Sequence, residues 1–472
     1  MVSIKASPTK VGGNPVQAEN ALEGTDTWRL PQPGDQVGDD ASGQIKGYAC
    51  SPSVNRGDSV TFSVSTRPAQ SYSISFFRYG WYHGLHARLM ATVGPLTGRA
   101  QPSCPADATT GLVECAWQPS YTLAVPRSWT SGVYLAVLTN ERHFQNYMVF
   151  VVRDDAGKAA LLVQQSVYTY QAYNNYPDDG VTGKSLYDPH SYGPNTMSGS
   201  PRAVKVSFDR PYARIGAGQF FNWESAFVPW LEEQGYDVSY TTDEDTHASG
   251  ARLKEHRGFL SVGHDEYWSR PMFDAAEAAR DAGVSLAFFG GNDVYWQVRL
   301  EPSSSGGRDR TLVVYKDAAA DPVVDRSLTT VNWRDPPVNR PEQQLLGIQF
   351  VAVQRHYDAY RVANANLWPY TGTGLVDGST LPRVVGDEAD AFDPAVAGPP
   401  DSPVTILSDS PITDEKGLPG TANSSIYQAP SGAWVFAAGS VVWAWAVGRP
   451  GYIEPGIQRL TTNILDRFVA PR

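Results

Sequence analysis

The hydrophobic pattern of this 472-residue chain changes period once, near Ala159, and that change limits the possible folds more than any single motif does. Before it, short runs alternate apolar and polar residues: 59–65 (SVTFSVS), 72–78 (YSISFFR), 133–138 (VYLAVL) and 147–152 (YMVFVV). A period of two turns one face of a strand inward. Turn-forming residues stand before two of the runs, Asn55-Arg56-Gly57-Asp58 and Trp129-Thr130-Ser131-Gly132. Residues 45–153 are therefore expected to form an antiparallel β-sandwich of Ig-like type. After Ala159 the pattern becomes strand (159–165), amphipathic helix (226–234), strand (236–241), short helix (251–255), strand (258–262), helix (271–282) and strand (284–289). Such alternation predicts an α/β domain with a mostly parallel sheet. From Thr311 strand-like runs return, including 433–438 and 441–446, and an amphipathic helix at 456–468 closes the chain. The expected organisation is an irregular polar arm (1–44), a sandwich domain (45–153) and an α/β catalytic domain (154–472).

A chain this long has apolar material for several cores. No stretch approaches the ~20 apolar residues of a membrane-spanning helix. A net charge of −11 and a pI near 5.2 repel nucleic acid and anionic membranes, so a small neutral or cationic ligand fits better. Of three cysteines, Cys104 and Cys115 flank a Pro- and Gly-bearing loop, the placement of a strand-loop-strand bridge. Two ordinary buried thiols are the alternative, and Cys50 is odd in either case. An extracellular protein is expected, with a cytoplasmic one as the alternative, although residues 1–20 lack the apolar core of a signal segment.

In open parallel sheets ligands collect beyond the carboxyl ends of the strands. The segments there are strongly polar: 168–175 (YTYQAYNN) and 185–191 (SLYDPHS) after the first strand, 242–247 (TDEDTH) after the second, 263–268 (GHDEYW) after the third and 290–296 (GGNDVYW) after the fourth. His264 and Glu266 are alternate residues of an extended segment, so both can face one ligand or metal while Asp265 faces away. Gly290 and Gly291 permit close backbone approach, and Asn292 adds an uncharged donor and acceptor. The bland reading of each residue alone is a cap or surface group, and the four strand ends together favour a functional rim.

The runs TYQAYNN (169–175), SLYD (185–188), GHDEYWS (263–269) and GGND (290–293), with FFRYGWYHGLHARL (76–89) and GAWVFAAGSVVWAW (432–445), resemble the N,N-dimethylformamidase large (beta) subunit-like family from Ile45 onward. The resemblance implies a β-sandwich followed by a catalytic domain with a mononuclear ferric centre, Fe(III), held by two tyrosines and a glutamate. Carried over, the glutamate is Glu266, the adjacent histidine His264, the asparagine Asn292, and the tyrosines Tyr173 and Tyr187. Tyr168, Tyr170 and Tyr176 are neighbours from which Tyr173 must be separated. Glu388, in VGDEAD (385–390), is similar to a carboxylate the family places close to its metal. Phenolate and carboxylate are hard anionic donors suited to a trivalent cation. His83 and His86 suggest a second metal pair but read better as part of an aromatic strand and turn. The implied reaction is hydrolysis of a carbon-nitrogen amide bond in a small molecule, with a small subunit or a homo-oligomer as expected assembly. A non-catalytic glycan- or peptide-binding protein and a hydrolase of another bond, such as an ester, are the competing readings.

Overall fold

The computed structural model describes residues 3–4 and 14–470. Of the expected arm, residues 1, 2 and 5–13 lie outside that set, and the remainder carries a short helix, α1 (Pro15–Asn20). Seven strands follow: β1 (Ile45–Ala49), β2 (Ser59–Thr66), β3 (Ser71–Tyr79), β4 (Ala87–Thr97), β5 (Tyr121–Ala124), β6 (Gly132–Asn140) and β7 (Phe144–Arg153). β1 and β5 flank β2 in one antiparallel sheet. β4, β3, β6 and β7 lie in that order in a second one. Phe62, Val64, Ile74, Phe76, Leu138 and Phe150 meet in a core between the two sheets.

The second sheet has no wet face over much of its area. Phe77, Leu135, Val137 and Tyr147 belong to the core of the following region. The VYLAVL run in β6 is therefore buried on both sides rather than alternating.

Five parallel strands form the next sheet, in the order β9, β8, β10, β11, β15. They are β8 (Leu161–Gln165), β9 (Val238–Thr242), β10 (Gly258–Gly263), β11 (Ser285–Gly290) and, after a long excursion, β15 (Trp434–Ala437). The excursion contains β12 (Gln349–Val353) and β13 (Glu388–Ala391), which pair with each other, and β14 (Ser425–Gln428), antiparallel beside β15. The helices are α2 (Val167–Tyr173), α3 (Glu224–Glu233), α4 (Arg270–Asp281), α5 (Trp443–Gly448) and α6 (Pro455–Val469). Met272, Phe273, Ala276 and Ala279 give α4 a buried stripe, and Ile457, Leu460, Ile464 and Phe468 do so for α6.

Helix α3 shows how the two regions are joined. Pro229 sits inside it and cannot supply the N–H that would bond the Ser225 carbonyl. The Tyr79 hydroxyl of β3 donates to that oxygen at 3.0 Å. A carbonyl the helix cannot satisfy thus becomes an anchor for the sandwich.

Three expectations change. Residues 441–446 form most of helix α5 and not a strand: the run is apolar all round and fully buried, so it carries no period to separate the two. The short helix near 251–255 is a 3-10 helix, Gly250–Glu255. Cys104 and Cys115 are bonded, their Cα atoms 4.7 Å apart, but the segment between them holds a single bridge, Ala106 to Val113, and no strands. Cys50 is free and half-buried. His86 packs edge-on against Tyr79 and His83 lies over Trp81, so neither faces a metal-binding partner.

Candidate metal centre

Tyr173 is the last residue of α2, directly beyond β8. The loop after it is tied back to the helix: Leu186 N–H donates to the Ala172 carbonyl at 2.9 Å, and Ser185 Oγ accepts from Tyr187 N–H at 3.1 Å. Buried Arg210 donates to the carbonyls of Gln171, Asn174 and Lys184. One guanidinium thereby fixes the segments carrying both tyrosines. Without a carboxylate beside it, burial pushes its pKa down to about 9.

Beyond β10, Gly263 has φ of +85°, and a Cβ there would lie 2.5 Å from Cβ of Trp223. The chain then extends, as the spacing of His264 and Glu266 requires. Asp265 faces inward, accepting from Ser261 Oγ at 2.7 Å and Gln164 Nε2 at 2.8 Å. Glu266 N–H donates to Thr169 Oγ1 of α2 at 3.0 Å. Beyond β11, a Cβ on Gly291 would meet the Glu388 carbonyl at 2.9 Å, which explains the second glycine. Asn292 has φ of +54°, a conformation asparagine tolerates better than most residues, and its backbone N–H donates to Asp390 at 2.8 Å. Glu388 enters from the excursion as the first residue of β13.

These segments bring all six expected residues together. Tyr173 and Tyr187 each donate to the Glu266 carboxylate at 2.9 Å, and their rings stack with centroids 4.3 Å apart. His264 Nε2 lies 2.9 Å from Glu388 and 3.4 Å from Glu266. Asn292 Nδ2 donates to Glu388 at 2.8 Å, while its buried Oδ1 has no hydrogen-bond partner. The neighbouring tyrosines are elsewhere: Tyr170 donates to Glu224, Tyr168 lies near Glu244 and Asp243, and Tyr176 packs on Trp117.

Three further residues had no clear sequence signal. Tyr267 donates to the Tyr187 hydroxyl at 2.6 Å. Lys316, at a left-handed φ of +60°, places its ammonium 3.8 Å from the Tyr187 ring centroid and 4.7 Å from that of Trp296. Trp223 stands edge-on to His264 at 6.4 Å. Tyr267 lies within the GHDEYWS run, whereas Lys316 arrives from a loop with no motif around it.

Charge is unevenly distributed here. Burial opposes protonation of His264, but the carboxylates of Glu388 and Glu266 outweigh it and push its pKa up to about 10. Burial would raise the Glu388 carboxyl, yet His264 and the Asn292 hydrogen bond hold it below its usual range. The Glu266 carboxyl is pushed up by burial, with Glu388 adding to the effect and His264 opposing it. Burial, then the charge of Glu266, drives the Tyr173 and Tyr187 phenols far above their ordinary value. Burial lowers Lys316 to about 7.

Two phenols and a carboxylate, converging at 2.9 Å, fit a small hard cation. Oxygen donors about 2 Å from one ion and at right angles to each other are separated by about 2.8 Å. Among the described residues no group of three or more His, Cys, Asp and Glu is arranged to hold a metal, so a centre here depends on the tyrosines.

A family model described as N,N-dimethylformamidase beta subunit-like, C-terminal, matches residues 73–455. The N,N-dimethylformamidase beta subunit of Alcaligenes sp is 21% identical over 444 residues, covering 76% of this chain and 56% of the relative. That of Paracoccus aminophilus is 21% identical over 437 residues, covering 76% and 55%. The chain thus spans about half the length of the curated relatives it matches.

Proposed function

Because the chain belongs to the N,N-dimethylformamidase beta subunit-like family, we propose that it is a metal-dependent hydrolase cleaving the carbon-nitrogen bond of a small amide. The observation that carries this reading is the convergence of the Tyr173 and Tyr187 hydroxyls on Glu266, beside the His264 and Glu388 pair.

Tyr173, Tyr187 and Glu266 would hold one ferric ion. Bound there, the ion supplies Lewis acidity that polarises an amide carbonyl and acidifies water. The remaining chemistry belongs to the chain. Glu388, kept ionised by His264 and Asn292, accepts a proton as the water oxygen bonds to the carbonyl carbon. That proton passes to nitrogen as the C–N bond breaks, so amide and water become acid and amine. Protonated His264 holds Glu388 in place between the two transfers. Asn292, whose amide is spent on Glu388, positions the base rather than donating directly to the substrate carbonyl.

The relatives' designation as beta subunits supports a partner subunit or an oligomer for this chain as well. The Cys104 to Cys115 bridge favours an oxidising compartment. The test is release of amine and carboxylate from small formamides by iron-loaded protein. Turnover should fall by about 10²- to 10⁴-fold in Glu388→Gln. Equal rates in wild type and Glu388→Gln would overturn the assignment of the base.

A further inference from the structure

We propose that the aromatic and arginine-bearing rim beyond His264 and Glu388 is a subsite for an aromatic carboxylate. The amide cleaved would then carry a planar, anionic group; this extension rests on the hydrolase reading above.

The rim is continuous with the centre. Trp223, edge-on to His264, stacks on Trp445 with centroids 5.5 Å apart and planes at 18°. Trp445 is in turn 5.6 Å from Tyr357 and 5.1 Å from Tyr452. Its indole N–H is spent on the Asn222 carbonyl at 2.6 Å, which fixes the ring. Tyr357 lies against the backbone at Gly386, where a Cβ would come within 2.2 Å of its ring, two residues before Glu388. Even so, Tyr357 remains 43% exposed. A large ring held rigidly beside a buried acid-base pair, and left open to solvent, is a platform for a flat ligand.

Two cations give the platform a direction. The Arg449 guanidinium lies 3.9 Å from the Trp445 centroid and 5.3 Å from that of Tyr452. Arg383 lies 4.8 Å from the Tyr452 centroid, at a left-handed φ of +59°, and donates to the Gly451 carbonyl at 2.7 Å. Among the described residues neither forms an ion pair with a carboxylate. A guanidinium stacked on a ring uses its face and leaves its N–H edge free, the edge that grips a carboxylate with two parallel hydrogen bonds.

Asp387 sets the opposite end. It lies beside Glu388, close enough for the two carboxyls to repel and for its charge to be felt at Tyr357. An anionic group would be repelled there and drawn to the arginines, so the carboxylate points outward and the neutral amide inward to His264 and Glu388. In a chain with a net charge of −11, an anion site needs such local cations.

The test uses the iron-loaded full chain and two matched pairs of probes. By calorimetry, benzoate should bind at least about tenfold more tightly than benzamide, and Arg449→Gln should remove that difference. In turnover, para-formamidobenzoate should show a KM at least about tenfold below that of formanilide, a ratio that falls to near one in Arg449→Gln. Tyr357→Ala should weaken benzoate and benzamide alike. Benzoate binding that depends on Arg449 with neither amide cleaved would keep the subsite and overturn the hydrolase reading. Both amides cleaved at equal KM, with no benzoate binding, would overturn the subsite and leave the hydrolase reading standing.

Discussion

Two buried polar clusters in this molecule use similar residues to opposite ends. At the junction between sandwich and parallel sheet, Arg78 and Glu232 are both fully buried and form two hydrogen bonds, at 2.7 and 3.0 Å. Glu232 also accepts from Tyr240 and Asn20 at 2.8 Å, and Arg78 donates to the Ser131 carbonyl. Beside them Arg88 and Glu19 pair at 2.6 Å. Cation meets anion one for one. At the candidate centre, two carboxylates converge on one histidine, and two phenols donate to a single acid. Beneath it lie Asp265, Asp293, Asp243 and Glu224, each with a buried oxygen that has no hydrogen-bond partner. Burial drives the Asp243 and Asp293 carboxyls well up and Glu224 to about 8. A balanced buried cluster holds elements together, whereas one with surplus acid costs stability and is suited to receive a cation.

The sharpest way to break this comparison is to make one substitution in both clusters. Glu232→Gln strands the Arg78 charge and should destabilise the fold by about 3–5 kcal/mol, while iron per folded chain stays unchanged. Glu266→Gln removes surplus charge, so the metal-free protein should melt within a few degrees of wild type while losing most of its iron. Chemical denaturation and elemental analysis of the two variants check both halves. A Glu266→Gln protein as destabilised as Glu232→Gln would show the two clusters to be alike.

Within the centre, ligands and acid-base groups should separate in the same manner. His264→Ala should keep its iron and lose turnover by roughly 10²-fold or more, because Glu388 loses its main counter-charge. Loss of iron and turnover in parallel would make His264 a ligand instead.

The smallest expected effect is at Lys316. Lys316→Met removes the cation facing the Tyr187 ring, worth at most about 2 kcal/mol. It should leave iron bound and move the tyrosinate-to-iron absorption to longer wavelength, since the phenolate electrons are then less tightly held. An unshifted band would mean that the ammonium does not act on that ring.

Much of this centre was legible because an extended chain presents alternate residues to one side. That places His264 and Glu266 together and Asp265 opposite, and the polar runs beyond β8, β10 and β11 mark the rim. Choosing Tyr173 over Tyr168 and Tyr170 needs the helical phase of α2, which seven residues following a buried strand do not reveal. Lys316 and Arg210 stay hidden for a different reason. Each acts on segments distant in the chain, and nothing in its own neighbourhood differs from an ordinary loop cation. The strand expected at 441–446 failed because VVWAWA is apolar at every position, so only its packing against α3 and the sheet makes it a helix.

The central claim, that the Tyr173, Tyr187 and Glu266 oxygens hold one ferric ion, is tested most directly by iron content and visible absorption of wild type beside Tyr187→Phe. Wild type should hold about one iron per chain and show a tyrosinate charge-transfer band. Tyr187→Phe, which keeps the ring stacked on Tyr173 and removes only its hydroxyl, should remain folded and lose metal and colour together. A colourless, iron-free wild type that cleaves amides, or a Tyr187→Phe protein with undiminished iron and absorption, would contradict it.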